Sequence, residues 1–494
     1  MPFNLSIEIE RQKMSVRNRL IAAVAVFSAI ICPTHYAFAD QSPLLEAFLD
    51  AVNSHDRAKI ETFVEHHFAT DLTVADAWPT RCCAKDDVVL ALLNIAKRSG
   101  GLVSDEVHSQ NSNVVAFAHT RIGKTSVYIS LSTAATRPDR IVNYQLMPVL
   151  APEQYLPALP PDTPLTNKLD LVRAAVEKGA QDGLFSGAFV VARAGKVLLS
   201  GAYGEADRER HVPNRLETPI DIASTGKLFT GVAVAQLVAK GKLDYSAPII
   251  RYLPEYPNET AASKITLRQL LTHSSGLADI FSHRAPNVKL ERLTDYYALF
   301  ANEPLLFDPG KGQSYSNTGF LVASMIVERV SGEDFRSYVK EHIFEPAGMT
   351  HTGFGHSPAI AIPYARANGD DPLNPASSLA SALPFYKGLL GGPAAGQGGE
   401  YSTAPDLLRF ASALRTGAIL DPVSFETILR NNYGCFCSAK QGHRVYAHSG
   451  GGPGINAFFL YYPDQDLVVI FLSNFSPPFA QVIGQAAATL LAGQ

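Results

Sequence analysis

The 494-residue chain has little of what would mark a nucleic-acid-binding or disordered protein. Its formal net charge is only −4, so it lacks the basic footprint that nucleic-acid recognition requires. Charged residues make up 18% of the chain and hydrophobic residues 46%, which excludes a disordered composition. The length exceeds that of one ordinary domain, and we therefore expect two or three domains without a nucleic-acid partner.

Cysteine is scarce, which narrows the metal and redox chemistry open to the chain. Of five cysteines, Cys32 lies in an N-terminal apolar segment, and the remaining four allow three pairings: Cys82, Cys83, Cys435 and Cys437. Their spacing matches no zinc site for which the chain offers further ligands. Core packing or a structural bridge is favoured over a redox centre, and we predict no metal and no cofactor.

Long hydrophobic runs are also few. The run at residues 20–31, LIAAVAVFSAII, is shorter than the about 20 residues that a membrane-spanning helix needs. Arg17 and Arg19 precede the run, and an Ala-x-Ala sequence at 37–39 follows it. This pattern predicts a secretory signal peptide over residues 1–39, with an uncleaved anchor as the alternative. We expect a periplasmic or secreted protein without a stable membrane span after signal cleavage.

Residues 40–147 have the pattern of a small α+β domain. Apolar residues recur at helical spacing across residues 42–68. Alternating or apolar runs that predict strands follow at 114–119, 125–132 and 139–147, separated by Gly123 and by a turn at 137–139. Helices followed by a sheet indicate an α+β unit, and this one resembles the NTF2-like domains.

A Pro-rich segment at residues 148–164 is typical of a semi-rigid linker, and residues 165–494 form one large domain. Two apolar runs around Ala194-Gly195-Lys196 predict a hairpin near the start of this domain. Three further strands and a helix are predicted at its end, and its middle is mostly helical. We therefore expect strands from both ends to share one sheet, with the helical middle packed alongside.

The stretch IASTGKLFT at residues 222–230 contains a Gly-Lys pair that could belong to a phosphate-binding loop. That loop requires a glycine five residues before the Gly-Lys pair and a serine or threonine directly after it. Asp221 and Leu228 occupy those positions. Nucleotide binding through such a loop is therefore excluded.

The same stretch contains Ser224-x-x-Lys227, which is the spacing of a nucleophile and its base. Ser224 would lie at the N-terminus of an apolar helix, where the helix dipole favours negative charge. Lys227 would lie one turn later on the same face. A lysine acts as a base only when neutral, and lowering its pKa from about 10.4 to about 7 costs roughly 4–5 kcal/mol. Such a cost is typical of a functional site.

Ser-x-x-Lys alone is a weak signal, because Ser337 and Lys340 match it again within a charged amphipathic helix. Two companions strengthen the first match. Tyr315-Ser316-Asn317 lies in a loop that leads into a helix, and a phenol beside a neutral lysine can relay a proton. His448-Ser449-Gly450 ends a strand, and the glycines after it would let substrate lie along the strand edge.

With these three elements in order, residues 165–494 resemble the penicillin-recognising serine hydrolases. The branch is that of class C β-lactamases, D-alanyl-D-alanine peptidases and related esterases. Three flanking segments also look like this branch: LRQLLTHSSGL (267–277), EPAGMTHTGF (345–354) and GGEYSTAPDLLRFASAL (398–414). The resemblance implies an α+β fold, in which an antiparallel sheet is flanked by helices and joined to an all-α subdomain.

The resemblance also implies roles for single residues. Ser224 would be the acylated nucleophile and Lys227 its base, while Tyr315 would share in proton transfer. The backbone N–H groups of Ser224 and Gly451 would form the oxyanion hole. Substrate binding is implied for Asn317, His448, Gly450 and Gly451.

One departure from the family pattern bears on the substrate. Lactamases and peptidases of this type usually carry Lys-Thr-Gly where this chain has His448-Ser449-Gly450. A histidine is largely neutral near pH 7, so a substrate carboxylate would bind more weakly. We predict a serine hydrolase acting on small-molecule or peptide substrates, esterase-like and slow with β-lactams. The alternatives are a D-alanyl-D-alanine-type peptidase or weak β-lactamase, and a binding homologue without turnover.

His273, in LLTHSSGL, is the other histidine near a recognisable motif. It could be a catalytic base, but a structural role at a helix end explains it at least as well.

Overall fold

The computed structural model describes residues 37–38, 42–68, 85–110, 113–122, 126–134, 137–148, 152–157, 159–160, 162–280, 290, 292–355, 359–366, 379–381, 396–437 and 443–492. The predicted signal peptide falls almost entirely outside these residues, as do Cys82 and Cys83. Within the described residues, no helix is both long and apolar enough to cross a membrane.

The N-terminal region combines three helices with an antiparallel sheet. The helices are α1 (Pro43–Asn53), α2 (Arg57–His67) and α3 (Lys85–Ser99). The sheet has the order β1 (Ala37–Phe38), β2 (Leu102–Gln110), β3 (Asn113–Thr120), β4 (Ser126–Ala134) and β5 (Arg137–Pro148). Ser42 caps α1 by accepting a hydrogen bond from the Leu45 N–H, and Pro43 occupies the first turn. Apolar residues of the helices and the sheet share one core.

This region has the predicted helices followed by strands, with three additions and one correction. The additions are β1, α3 and β2, which the sequence pattern did not predict. The correction concerns residues 137–139, which begin β5 and do not form a separate turn. Pro138 is tolerated there because β5 is an edge strand with register shifts near its start, so a missing N–H disrupts no regular ladder. The likeness to NTF2-like domains stays a prediction.

The rest of the chain folds around a second sheet. Its helices are α4 (Leu165–Gln181), α5 (Lys227–Ala239), α6 (Glu259–Lys264), α7 (Leu267–Leu271), α8 (Tyr297–Phe300), α9 (Asn317–Ser331), α10 (Phe335–Val339), α11 (Glu345–Ala347), α12 (Ala404–Thr416), α13 (Pro422–Asn431) and α14 (Phe479–Ala492). Its strands are β6 (Gly187–Arg193), β7 (Lys196–Tyr203), β8 (Glu205–Asp207), β9 (Val212–Pro213), β10 (Ile220–Asp221), β11 (Gly353–Phe354), β12 (Tyr364–Arg366), β13 (Leu379–Ser381), β14 (Glu400–Ser402), β15 (Tyr446–Gly452), β16 (Ile455–Tyr462) and β17 (Leu467–Ser473).

The central sheet has the order β15-β16-β17-β6-β7, and all neighbouring strands are antiparallel. Because β17 pairs with β6, the expectation that strands from both ends of the domain share one sheet is confirmed. The hairpin between β6 and β7 is confirmed as well. Ala194 and Gly195 both have positive φ, as a two-residue turn between twisted strands requires.

Both faces of the central sheet are covered, so β16 and β17 are buried along their whole length. One hydrophobic cluster joins one face to α4 and α14. A larger cluster joins the other face to α5, α9, α12 and α13. A small sheet of order β10-β14-β11 lies before α5, and a short turn at Ala223–Gly226 joins β10 to the helix. The architecture is the predicted α+β fold of an antiparallel sheet flanked by helices.

Candidate active site

Ser224 lies on a short 3-10 turn, Ala223–Gly226, between strand β10 and helix α5. The carboxylate Oδ1 of Asp221 accepts a hydrogen bond from the Ala223 N–H at 2.8 Å. Ala223 has a φ of 42°, a left-handed conformation that few non-glycine residues adopt. The first eleven residues of α5 are buried, so the turn stands on a rigid support.

Lys227 is fully buried, and its ammonium group reaches three acceptors. Its Nζ lies 3.0 Å from Ser224 Oγ and 2.8 Å from Asn317 Oδ1, and it also donates to the carbonyl oxygen of Gln397. Burial lowers the pKa of Lys227 to about 7, although the charges of Asp279 and Glu400 oppose this shift. Near neutral pH, a substantial fraction of Lys227 is therefore neutral and able to accept a proton.

Tyr315 contacts the same serine oxygen as Lys227. Its hydroxyl donates to Ser224 Oγ at 2.7 Å, and its ring centroid lies 5.0 Å from Lys227 Nζ. Burial raises the pKa of Tyr315, so the phenol stays protonated at neutral pH. Ser224 Oγ thus lies between a group that can accept a proton and one that can donate it.

Asn317 is held in position by Asp279, which the sequence reading did not single out. Asn317 is the first residue of α9, and Asp279 Oδ2 accepts hydrogen bonds from its backbone N–H at 2.7 Å and its Nδ2 at 3.1 Å. This directs the Asn317 Oδ1 towards Lys227. Asp279 lies just after the motif LLTHSSGL, so its proximity to that motif is the signal that could have found it.

Strand β15 packs directly against the serine turn, and Gly450 is the residue that permits this. A Cβ at Gly450 would lie 1.9 Å from the carbonyl oxygen of Ile222. The close approach accounts for Gly450 as a packing position beside the site. Its predicted contact with substrate stays a prediction.

Gly451 lies on the free edge of the central sheet. The carbonyl oxygen of Ala447 accepts a hydrogen bond from the Phe436 N–H at 2.8 Å, and Phe436 is not part of β16. The C=O and N–H groups of Ala447 therefore point away from β16, towards the edge of the sheet. Gly451 is four residues further along β15 and has the same orientation, because orientation alternates with a period of two. Its N–H is therefore directed to the edge that faces the serine turn, and its oxyanion role stays a prediction.

His448 is buried and neutral. Its Nδ1 lies 2.7 Å from the carbonyl oxygen of Ser449, and its ring centroid lies 4.5 Å from that of Phe436. Burial, reinforced by the charge of Lys227, lowers the pKa of His448 well below its ordinary value. The strand position that usually carries a lysine in this branch therefore has no positive charge here.

His273 is also buried, and it has a structural role. Its Nδ1 accepts a hydrogen bond from the Ser316 N–H at 3.1 Å, and its ring stacks on Tyr315 with centroids 4.5 Å apart. Burial lowers the pKa of His273 to about 3, so it is neutral and supports the Tyr315 ring.

Glu400 is a second carboxylate near the site that the sequence reading did not single out. Its side chain is 1% exposed, and its Oε1 accepts from the Gly396 N–H at 3.3 Å. Burial raises the pKa of Glu400 to about 7. It lies within GGEYSTAPDLLRF, which also contains Asp406, so the composition of the segment does not single out Glu400.

Cys435 and Cys437 form a disulfide in the loop after α13, where the sequence left the pairing open. Phe436, between them, is the residue that packs on His448. Among the residues that the structure describes, no cluster of His, Cys, Asp or Glu could hold a metal ion. The chemistry that this arrangement supports is acyl transfer by an activated serine.

Comparison with known proteins agrees with the fold and with this chemistry. A model of the beta-lactamase family matches residues 171–494, which is more than half of the chain. The chain therefore belongs to the beta-lactamase family, whose members are serine hydrolases.

Relatives of this chain include both penicillin-binding proteins and an esterase. Penicillin-binding protein 4* of Bacillus subtilis (strain 168) is 30% identical over 352 residues, covering 66% of this chain and 77% of that protein. Esterase EstB of Burkholderia gladioli is 31% identical over 255 residues, covering 46% of this chain and 64% of that protein. The crystal structure of a penicillin binding protein from Bacillus halodurans has a TM-score of 0.55 at 28% identity, covering 64% of this chain and 98% of that one.

Proposed function

We propose that this protein is an exported serine hydrolase that forms an acyl-enzyme on Ser224 and acts mainly on neutral esters. One observation carries the proposal: Ser224 Oγ lies 3.0 Å from Lys227 Nζ and 2.7 Å from the Tyr315 hydroxyl. A serine that only packs or caps a helix would not need a buried lysine with a pKa near 7. Export rests on the N-terminal sequence pattern alone.

In the proposed acylation step, neutral Lys227 accepts the Ser224 hydroxyl proton as Oγ attacks the substrate carbonyl carbon. The resulting oxyanion receives hydrogen bonds from the N–H groups of Ser224 and Gly451. The C–O bond to the leaving group then breaks, and the leaving alkoxide receives a proton from Tyr315, which regains one from Lys227. A water molecule repeats the sequence on the acyl-enzyme and releases the acid.

The neutral state of His448 supports an ester substrate without a carboxylate near this strand. A substrate carboxylate placed against a buried neutral imidazole would gain no ion pair and would lose its hydration. The second candidate, a D-alanyl-D-alanine-type peptidase or weak β-lactamase, is supported by relatives named penicillin-binding proteins. It requires a cation for the substrate carboxylate, so the charge of the preferred substrate separates the two. The third candidate, a homologue that only binds, would leave Ser224 unacylated.

The test compares two esters that differ by one charge, p-nitrophenyl butyrate and mono-p-nitrophenyl succinate, with a chromogenic cephalosporin as third substrate. The protein from Asp40 onwards is assayed beside Ser224→Ala. We expect kcat/KM to be at least about tenfold higher for the neutral ester than for either anion. Comparable values for the cephalosporin and the ester would favour the second candidate, and no turnover with any substrate would favour the third.

A further inference from the structure

Glu400 lies on β14, the central strand of the small sheet that leads into the Ser224 turn. Its strand pairs with β10 on one side and with β11 on the other. The carbonyl oxygen of Glu400 accepts from the Ile222 N–H at 3.0 Å, directly before the turn. The backbone of Glu400 is therefore well anchored, and its side chain has little freedom to move away from the turn.

The carboxyl group of Glu400 packs against Gly226, inside the Ser-Thr-Gly-Lys sequence itself. A Cβ at Gly226 would lie 2.0 Å from Glu400 Oε2 and 2.5 Å from its Cδ. Gly226 has a φ of −59°, which any residue adopts, so the backbone does not require glycine there. The space for the Glu400 carboxyl group does require it. The Glu400 carboxyl group therefore occupies the space that a side chain at position 226 would need.

Two charged groups face this carboxyl, Lys227 from α5 and Asp221 from β10. Its Oε2 has no hydrogen-bond partner among the described residues. From β11 the paired residue is Phe354, which carries no charge. Asp279 is the other carboxylate that acts on Lys227. Buried groups of opposite charge that titrate in the same range share their protons and do not titrate independently.

We propose that Glu400 is a positioning residue of the hydrolase site, whose charge sets the fraction of Lys227 that is neutral. The inference rests on the proposed function, because it assigns Lys227 the role of base. An ionised Glu400 favours the ammonium form of Lys227, which cannot accept the Ser224 proton. A protonated Glu400 removes that attraction, so the pair determines the pH at which Ser224 becomes reactive.

The test follows the rate of Ser224 labelling by a fluorophosphonate probe as a function of pH. The isosteric Glu400→Gln variant removes the carboxylate charge, so Lys227 loses its proton more readily. The acid limb of the pH profile, where the labelling rate rises with pH, should therefore move to lower pH by about one unit. Glu400→Asp keeps a carboxylate, and its acid limb should stay close to that of the wild type. Glu341→Gln removes an exposed glutamate and serves as the matched control, with an unchanged profile.

Three outcomes are distinguishable. An unchanged acid limb in a folded Glu400→Gln protein overturns the inference, as does an equal loss of rate in Glu400→Gln and Glu400→Asp with no shift. No labelling of the wild type overturns the proposed function instead. If the Glu400→Gln protein does not fold, the pH profile of the Asp221→Asn variant tests the inference instead. Without the Asp221 charge, Glu400 ionises at lower pH, and the acid limb should move to higher pH; a limb that stays in place or moves down contradicts the inference.

Discussion

Two Ser-x-x-Lys sequences occur in this chain, Ser224 to Lys227 where α5 begins and Ser337 to Lys340 where α10 ends. Lys227 is 0% exposed and contacts its serine at 3.0 Å. The Lys340 side chain is 67% exposed and lies 3.7 Å from Glu345. The spacing places both lysines one turn from a serine. Burial lowers the proton affinity of Lys227, and Lys340 has no such burial, so we expect only the first pair to perform nucleophilic catalysis.

The serines themselves should give the largest contrast. Ser224→Ala removes the proposed nucleophile, and we expect kcat for p-nitrophenyl butyrate to fall by at least about 10⁴-fold. Ser337→Ala removes an exposed hydroxyl and should leave kcat unchanged. Steady-state kinetics on both variants measure the difference. Equal activity of the two variants would show that Ser224 is not the nucleophile.

Changing the lysines should give the next largest contrast. Lys227→Met removes the proposed base and should lower kcat by roughly 10²–10⁴-fold, whereas Lys340→Met should have no effect. Lys227→Arg should be as inactive as Lys227→Met, because a guanidinium stays charged and cannot accept the proton. An active Lys227→Arg enzyme would contradict the assignment of Lys227 as the base.

The pH dependence of stability should differ between the same two positions. The pKa of Lys227 is about 7 in the folded protein and near its ordinary value when unfolded. Between pH 7 and 9 the unfolded chain therefore binds a proton that the folded protein lacks, so the free energy of unfolding gains about 1 kcal/mol per pH unit from this group. Urea denaturation at several pH values should show this contribution in the wild type and in Lys340→Met. It should be missing from Lys227→Met.

The helix caps should give the smallest contrast. Ser316 Oγ accepts from the Gly319 N–H to cap α9, and Asp334 Oδ1 accepts from the N–H groups of Arg336 and Ser337 to cap α10. Replacing either by alanine should lower the free energy of unfolding by about 1 kcal/mol. Only Ser316→Ala should also lower kcat, because Tyr315 and Asn317 flank that cap. An equal kcat for both variants would show that the Ser316 cap stabilises α9 without affecting the geometry of the site.

The central sheet was readable from sequence, because its strands are apolar runs and Ala194-Gly195 has the chemistry of a tight turn. The residues around Ser224 were readable only in part. Their grouping came from motif order, since nothing local places Tyr315 or His448 beside a residue about 90 or 220 positions away.

The parts of the site that could not be predicted from the sequence are those that depend on burial. Asp279 is marked only by its nearness to LLTHSSGL, and Glu400 shares its segment with Asp406. Nothing in a linear sequence shows that either carboxylate acts on a buried lysine. In the N-terminal region, α3 has a readable signal in Val88, Leu92 and Ile95 at helical spacing. Strand β2 lacks one, because it is polar and partly exposed.

The pairing of β17 with β6 has a consequence for the order of events during synthesis. The guanidinium of Arg193, at the end of β6, donates to the carbonyl oxygen of Leu491, which follows it by 298 residues. Strand β6 is therefore made long before the strand that covers its edge, and the central sheet cannot form completely until β17 has left the ribosome. Until then, the apolar β6–β7 hairpin has an unpaired edge, which can aggregate with other chains or bind chaperones.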